Sequence, residues 1–132
     1  VSDFQRHAQK SGAEFEDFVE LELQQIGTIL ERDYLIEGSG SEADFIAIVN
    51  GVKEHIECKG GTGSRPGAQR TDSVKKAVAN GILMKFIDPT IRYVVYFSAK
   101  PIPESYSDQM LILALDSGII DEIRYRENYD TQ

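Results

Sequence analysis

The chain has 132 residues, of which 41% are hydrophobic and 27% charged, and it carries a net charge of −8. That length bounds a single domain, residues 1–132, with one core, and the composition excludes wholesale disorder, collagen-like repeats and a coiled coil. No stretch approaches the roughly 18 apolar residues of a spanning helix, and the start Val1-Ser2-Asp3-Phe4-Gln5-Arg6 has no apolar signal-peptide core. A cytoplasmic chain without a membrane partner is expected. The lone Cys58 excludes an internal disulfide framework and, with only His7 and His55 as companions, makes no zinc site. Any bound metal is therefore expected on oxygen.

Residues 11–31 read as the first helix, because Phe15, Phe18, Val19, Leu23, Ile26 and Leu30 recur at three- and four-residue steps against an acidic opposite face. Ser11 is the expected N-cap, with Glu14 completing a capping box. Tyr34-Leu35-Ile36 is a short strand, and Gly38-Ser39-Gly40-Ser41 a turn. Two apolar-rich runs follow, from Asp44 to Val49 and from Val52 to Lys59, separated by Asn50-Gly51. That dipeptide is the signature of a two-residue hairpin, because both central residues of a type I′ turn need positive φ. Gly60 to Gln69 is a glycine-rich loop. Thr71 or Asp72 caps a helix to about Phe86, with Val74, Ala77, Val78 and Leu83 inward. The nearly continuous apolar run Ile91 to Phe97 is a central buried strand, Ser105 to Ser117 a helix stopped at Gly118, and Ile119 to Tyr125 a last strand.

The hairpin carries the chemistry. Pairing Val49 with Val52 places Asp44 directly across from Glu57, and Lys59 two residues further on projects from the same face. Two carboxylates about 5 Å apart at an effective dielectric near 20 repel by roughly 3 kcal/mol, and a bridging divalent cation turns that repulsion into attraction. Such an ion is what phosphodiester hydrolysis uses to polarise a phosphoryl oxygen and activate water, with Lys59 placed to stabilise developing negative charge. The plainer reading is a solvent-exposed Asp and Glu, harmless in water and screened by Lys59.

The charge distribution points the same way. From Cys58 to Lys85 the chain has six basic residues (Lys59, Arg65, Arg70, Lys75, Lys76 and Lys85) and one acid, Asp72, while the remainder has eight basic and twenty-one acidic residues. A basic segment on an acidic chain grips phosphate locally and limits indiscriminate adhesion. Arg65, Arg70, Lys75 and Lys76 are the candidate DNA contacts, helped by the backbone donors of the capped helix start; a solvated basic face is the alternative. His55 falls on the face of Glu57 opposite Ile46 and reads as a packed bystander. The Cys58 side chain points to the other face and reads as core, as do Tyr93, Tyr96 and Phe97.

Together these pieces resemble the PD-(D/E)XK nuclease superfamily, the restriction-endonuclease-like fold. The resemblance rests on the helix with Gly12-Ala13-Glu14-Phe15-Glu16, the strand Ala43-Asp44-Phe45-Ile46, the Asn50-Gly51 turn and Glu57-Cys58-Lys59. It implies an α/β fold with an α-β-β-β-α-β core, a mixed central sheet flanked by helices. It also implies Mg²⁺, with Mn²⁺ as substitute, bound by Asp44, Glu57 and the Cys58 backbone carbonyl, and Lys59 assisting the attacking water. Glu16 becomes the helical acid, acting on metal through water. Ala43 departs from the proline that many members carry, at a position that provides no catalytic atom. Gln69 hints at the Gln-x-x-x-Tyr element of the exonuclease-like branch, but Ser73 occupies the tyrosine position and disfavours it. The expected function is a metal-dependent endonuclease of duplex DNA, restriction-like or phage-type, working as a homodimer. A Holliday junction resolvase acting on branched DNA, or a non-catalytic DNA-binding module, is the alternative.

Overall fold

The computed structural model describes residues 3–61 and 65–126, with side chains from Gly12 onward in the first helix. The elements run α1 (Asp3–Ile26), β1 (Gly27–Ile36), β2 (Ser41–Val49), β3 (Val52–Lys59), a single 3-10 turn (Gly67–Gln69), α2 (Thr71–Ile87), β4 (Tyr93–Phe97), α3 (Tyr106–Asp116) and β5 (Glu122–Tyr125). The five strands lie in the order β1-β2-β3-β4-β5. The first three form an antiparallel meander, and β4 and β5 add in parallel, each after a helix. A tight turn suffices for an antiparallel step, whereas a parallel step needs a crossover long enough to hold a helix. This α/β class with a mixed sheet is the expected one.

The centre of the sheet is buried on both faces, while β1 at its edge is mostly exposed. Phe15, Val19 and Leu23 of α1 pack on Phe45, Ala47, Ile56, Val94 and Tyr96. Val74, Ala77 and Met84 of α2 and Leu111 and Ala114 of α3 pack on Ile46, Tyr93, Val95 and Phe97. β4 therefore sends alternate side chains into two cores and is buried at all five positions, which is why its sequence is apolar throughout rather than alternating. Among the described residues no helix is long and apolar enough to cross a membrane.

Several boundaries differ from the sequence reading. The first helix begins well before Ser11, which sits inside it rather than at its start, and it ends at Ile26 instead of continuing to residue 31. Gly27 is a poor helix former and Thr28 and Ile29 are β-branched; pairing with β2, from Gly27 opposite Val49 to Ile36 opposite Ser41, makes a ten-residue strand of 27–36. A register shift between Ile29 and Glu31 interrupts that ladder at Leu30, which is 52% exposed rather than core. Helix α2 starts at Thr71 with Arg70 as N-cap and no side-chain cap bond, so neither Thr71 nor Asp72 caps it. Leu83 is exposed. The last two strands are shorter than read, starting at Tyr93 and Glu122. Helix α3 is capped by Ser105, whose hydroxyl accepts from Asp108 N.

Candidate active site

The Asn50-Gly51 turn forms as its residues demand, with φ of 51° and 77°, and β2 pairs β3 from Val49 opposite Val52 to Phe45 opposite Ile56. One step beyond that last pair the strands are joined by a side chain: Asp44 Oδ2 accepts from the Cys58 backbone N–H at 2.7 Å. Glu57 lies on the α2 face of β3, where Lys59 Nζ meets its Oε1 at 3.0 Å and Asn80 Nδ2 of α2 donates to its Oε2 at 3.3 Å. Asn80 is in turn oriented by the Ser41 hydroxyl, which donates to Asn80 Oδ1 at 2.9 Å. Sequence reasoning missed Asn80 and Ser41. The only available signal was a polar residue on the inward side of an otherwise apolar helix stripe, with Ala77 before it and Met84 after it.

Burial sets the electrostatics. Glu57 is 5% exposed, and desolvation together with the Asp44 charge pushes its carboxyl up to about 7 against the lowering effects of Lys59 and Asn80. Desolvation raises Asp44 as well, partly offset by the Cys58 backbone bond and by Lys59. The two acids thus share a partly dry site in which neither ionises freely. Glu16 on α1 is near enough for the Asp44 charge to raise it, after the larger effect of its own burial, but its carboxylate lies 4.0 Å from Arg32 of β1. Arg32 also donates from Nη1 to both oxygens of Glu20, each at 3.2 Å. Among the described residues no three His, Cys, Asp or Glu side chains group to hold an ion, so the site consists of Asp44, Glu57 and Lys59, with Glu16 set back beside Arg32. No family model matches this chain, and no curated protein or solved structure matches it.

The remaining sequence candidates divide cleanly. Cys58 is packed in the α1 core, and burial followed by the charges of Asp44, Glu16 and Glu57 pushes its thiol well up, so it is no nucleophile. His55 is opposite Ile46 as expected; it stands edge-on to Tyr34, and burial and then Lys53 hold it below its usual range. Neither site carboxylate touches it. Tyr93, Tyr96 and Phe97 are fully buried core residues, and the Tyr93 hydroxyl donates to Ala77 O at 2.7 Å. Arg65, Arg70 and Lys76 are exposed, Arg65 and Arg70 lying on the segment that leaves Lys59 for α2. Lys75 is exposed as well, and it lines a groove between α2 and α3 with Tyr106 and Leu113. Hydrogen bonds to the stretch after β4 position the segment: Ser98 N donates to Lys59 O at 3.1 Å and Ala68 N to Ala99 O at 3.0 Å, and Ser98 Oγ donates to Gly61 O at 3.1 Å.

Proposed function

We propose that the protein is a metal-dependent endodeoxyribonuclease of the PD-(D/E)XK kind that hydrolyses phosphodiester bonds of duplex DNA, with two copies acting together. The observation that carries this reading is the pairing of a buried acid, Glu57, with a half-buried one, Asp44, and Lys59 in direct contact with Glu57. The succession α1-β1-β2-β3-α2-β4 also supports it, since that is the order of the superfamily core.

The residues present fit an oxygen-ligated divalent cation. Both carboxylates are raised by burial, and Glu57 further by Asp44, so a cation between them would relieve desolvation and repulsion at once. Asp44, Glu57 and the Cys58 carbonyl would hold Mg²⁺ or Mn²⁺, with Glu16 reaching it through water. When bound, such an ion polarises the phosphoryl oxygen and lowers the pKa of water. Asp44 keeps its carboxylate aimed by accepting from Cys58 N, and Glu57 keeps its own aimed through Asn80 and Lys59. The Lys59 ammonium, held at the edge of the pair, orients the attacking water and offsets charge on the phosphate in the transition state. Arg65, Arg70 and Lys76 are the exposed cations that would hold the DNA backbone.

The test is cleavage of supercoiled plasmid, linear duplex, single-stranded DNA and a four-way junction with and without Mg²⁺. Each of Asp44→Ala, Glu57→Ala and Lys59→Ala is expected to lower the rate by at least about 100-fold while the circular dichroism spectrum is retained. Cutting of the junction alone would replace the duplex substrate by branched DNA. DNA binding that needs no metal and gives no cutting would make the protein a binding module.

A further inference from the structure

The outward side of α2 and α3 is apolar where a lone protein's surface is ordinarily polar. Phe86 is 86% exposed, Tyr106 77% and Leu113 68%, and Ile82 is about half exposed. Both helices already bury a first face on the sheet, through Val74, Ala77 and Met84 and through Leu111 and Ala114, so these residues form a second one. A helix apolar on two sides is built to be covered twice. Along the seam between the helices runs a groove walled by Ile82 and Phe86 on one side and by Tyr106, Met110 and Leu113 on the other. At roughly 200 Å² for a fully exposed large side chain, Phe86, Tyr106, Leu113 and Ile82 offer about 560 Å², at the top of the range for a monomer's patch, and two such faces together clear the ~1,000 Å² of a specific interface.

The charges around the face select the occupant. Helix α2 carries Lys75 and Lys76 and α3 carries Asp108 and Asp116, with no basic residue in the last turn of α3. Lys75, Lys76 and Asp116 make no ion pair among the described residues. A basic helix beside an acidic one is complementary to itself turned over, because a two-fold axis lays α3 of each copy along α2 of the other. We infer that a second copy of this chain docks on the α2–α3 face in this two-fold manner, with Phe86 and Leu113 as central anchors and Lys75 drawn into the interface rather than onto DNA. This deepens the proposed function by assigning the surface of its paired copies, yet the association itself needs neither metal nor DNA.

Sedimentation equilibrium of the full chain at about 50 µM is expected to give twice the chain mass. Phe86→Glu and Leu113→Glu, both at exposed positions, are each expected to weaken the dimer by at least about 30-fold with unchanged circular dichroism. Leu21→Glu on the opposite side of the molecule is expected to leave the dimer intact. A wild-type monomer, a dimer surviving both α2–α3 substitutions, a dimer broken by Leu21→Glu or an open series of larger masses would each overturn the inference. Asp44→Ala separates the two readings: it is expected to abolish cleavage while remaining dimeric, so a missing activity and a missing dimer are read independently.

Discussion

Glu57 shows how one residue links folding to chemistry. Its carboxyl is raised to about 7, first by burial and then by Asp44, so the folded protein holds this proton more tightly than the unfolded chain does. Below pH ~4.5 both states are protonated and the site costs nothing. As pH rises from there towards 7 the unfolded state loses its proton first, so stability falls, and the loss is complete above about 7. Metal-free protein is therefore expected to melt lower at pH 8 than at pH 5.5, and Glu57→Gln to flatten this dependence and raise the Tm at pH 8 by about 5 °C. A scanning-fluorimetry series across pH for both proteins checks it. A Glu57→Gln protein that lost stability at pH 8 would mean that Asn80 and Lys59 hold the carboxylate more firmly than its desolvation opposes it. The positions of Asp44 and Glu57 were legible in the sequence because an Asn-Gly turn and a period of two leave a single register. The tie of Glu57 to Asn80, and of Asn80 to Ser41, was not, since those contacts join residues 23 and 39 positions apart.

At the scale of elements, the site depends on how closely α1 approaches the end of β3. A Cβ built on Gly60 would lie 2.7 Å from Phe15 Cβ, and Phe15 is one residue from Glu16. Gly60→Ala is expected to push α1 outwards and cost about 1–3 kcal/mol, measurable by urea denaturation. A stability loss within about 0.5 kcal/mol would show that the helix is free to shift. The hairpin offers a second handle. Gly51, at φ of 77°, is expected to lose about 1 kcal/mol on change to Ala without moving the register that the flanking pairs hold. The α1–β1 boundary was misread because residues 27–31 continue the apolar spacing of the helix, and only pairing with β2 reveals them as strand. Local periodicity describes one face of a segment and carries no information about an edge offered to it by residues further along the chain.

Across the whole molecule, a second polar cluster ties the far ends of three strands together. Glu54 on β3 is 2% exposed; Arg124 on β5 donates to both of its oxygens, at 2.9 and 2.8 Å, and to the Tyr96 hydroxyl at 3.1 Å. Arg92 adds a bond to Glu54 at 3.2 Å, and Glu122 accepts from Arg124 Nε at 2.6 Å. Removing Arg124 leaves the buried Glu54 carboxylate with Arg92 as its one remaining cation among the described residues. Arg124→Met is expected to cost about 3–5 kcal/mol, and Glu54→Met combined with Arg124→Met to recover most of it. Urea denaturation of the single and double variants measures the difference. A double variant as weak as the single one would show that packing, not the unpaired charge, sets the loss. This cluster was invisible in the sequence because Glu54 and Arg124 are 70 positions apart. Alternation with Ile56 and Cys58, which places Glu54 on an inward face, was its one local sign.

The sequence by itself determined the α/β class, the order of the principal elements, the hairpin and, through it, the neighbourhood of Asp44, Glu57 and Lys59. All of these depend on short-range physics: turn chemistry, side-chain period and the apolar runs that must be buried. The tertiary structure alone decided where α1 gives way to β1, that Arg32 stands beside Glu16, that Asn80 and Ser41 orient Glu57, and that α2 and α3 keep an apolar second face. Each of these turns on which distant surface reaches a residue first. A side chain's partners are chosen by proximity in space, and the pattern along the chain encodes which faces must be covered before it encodes by what.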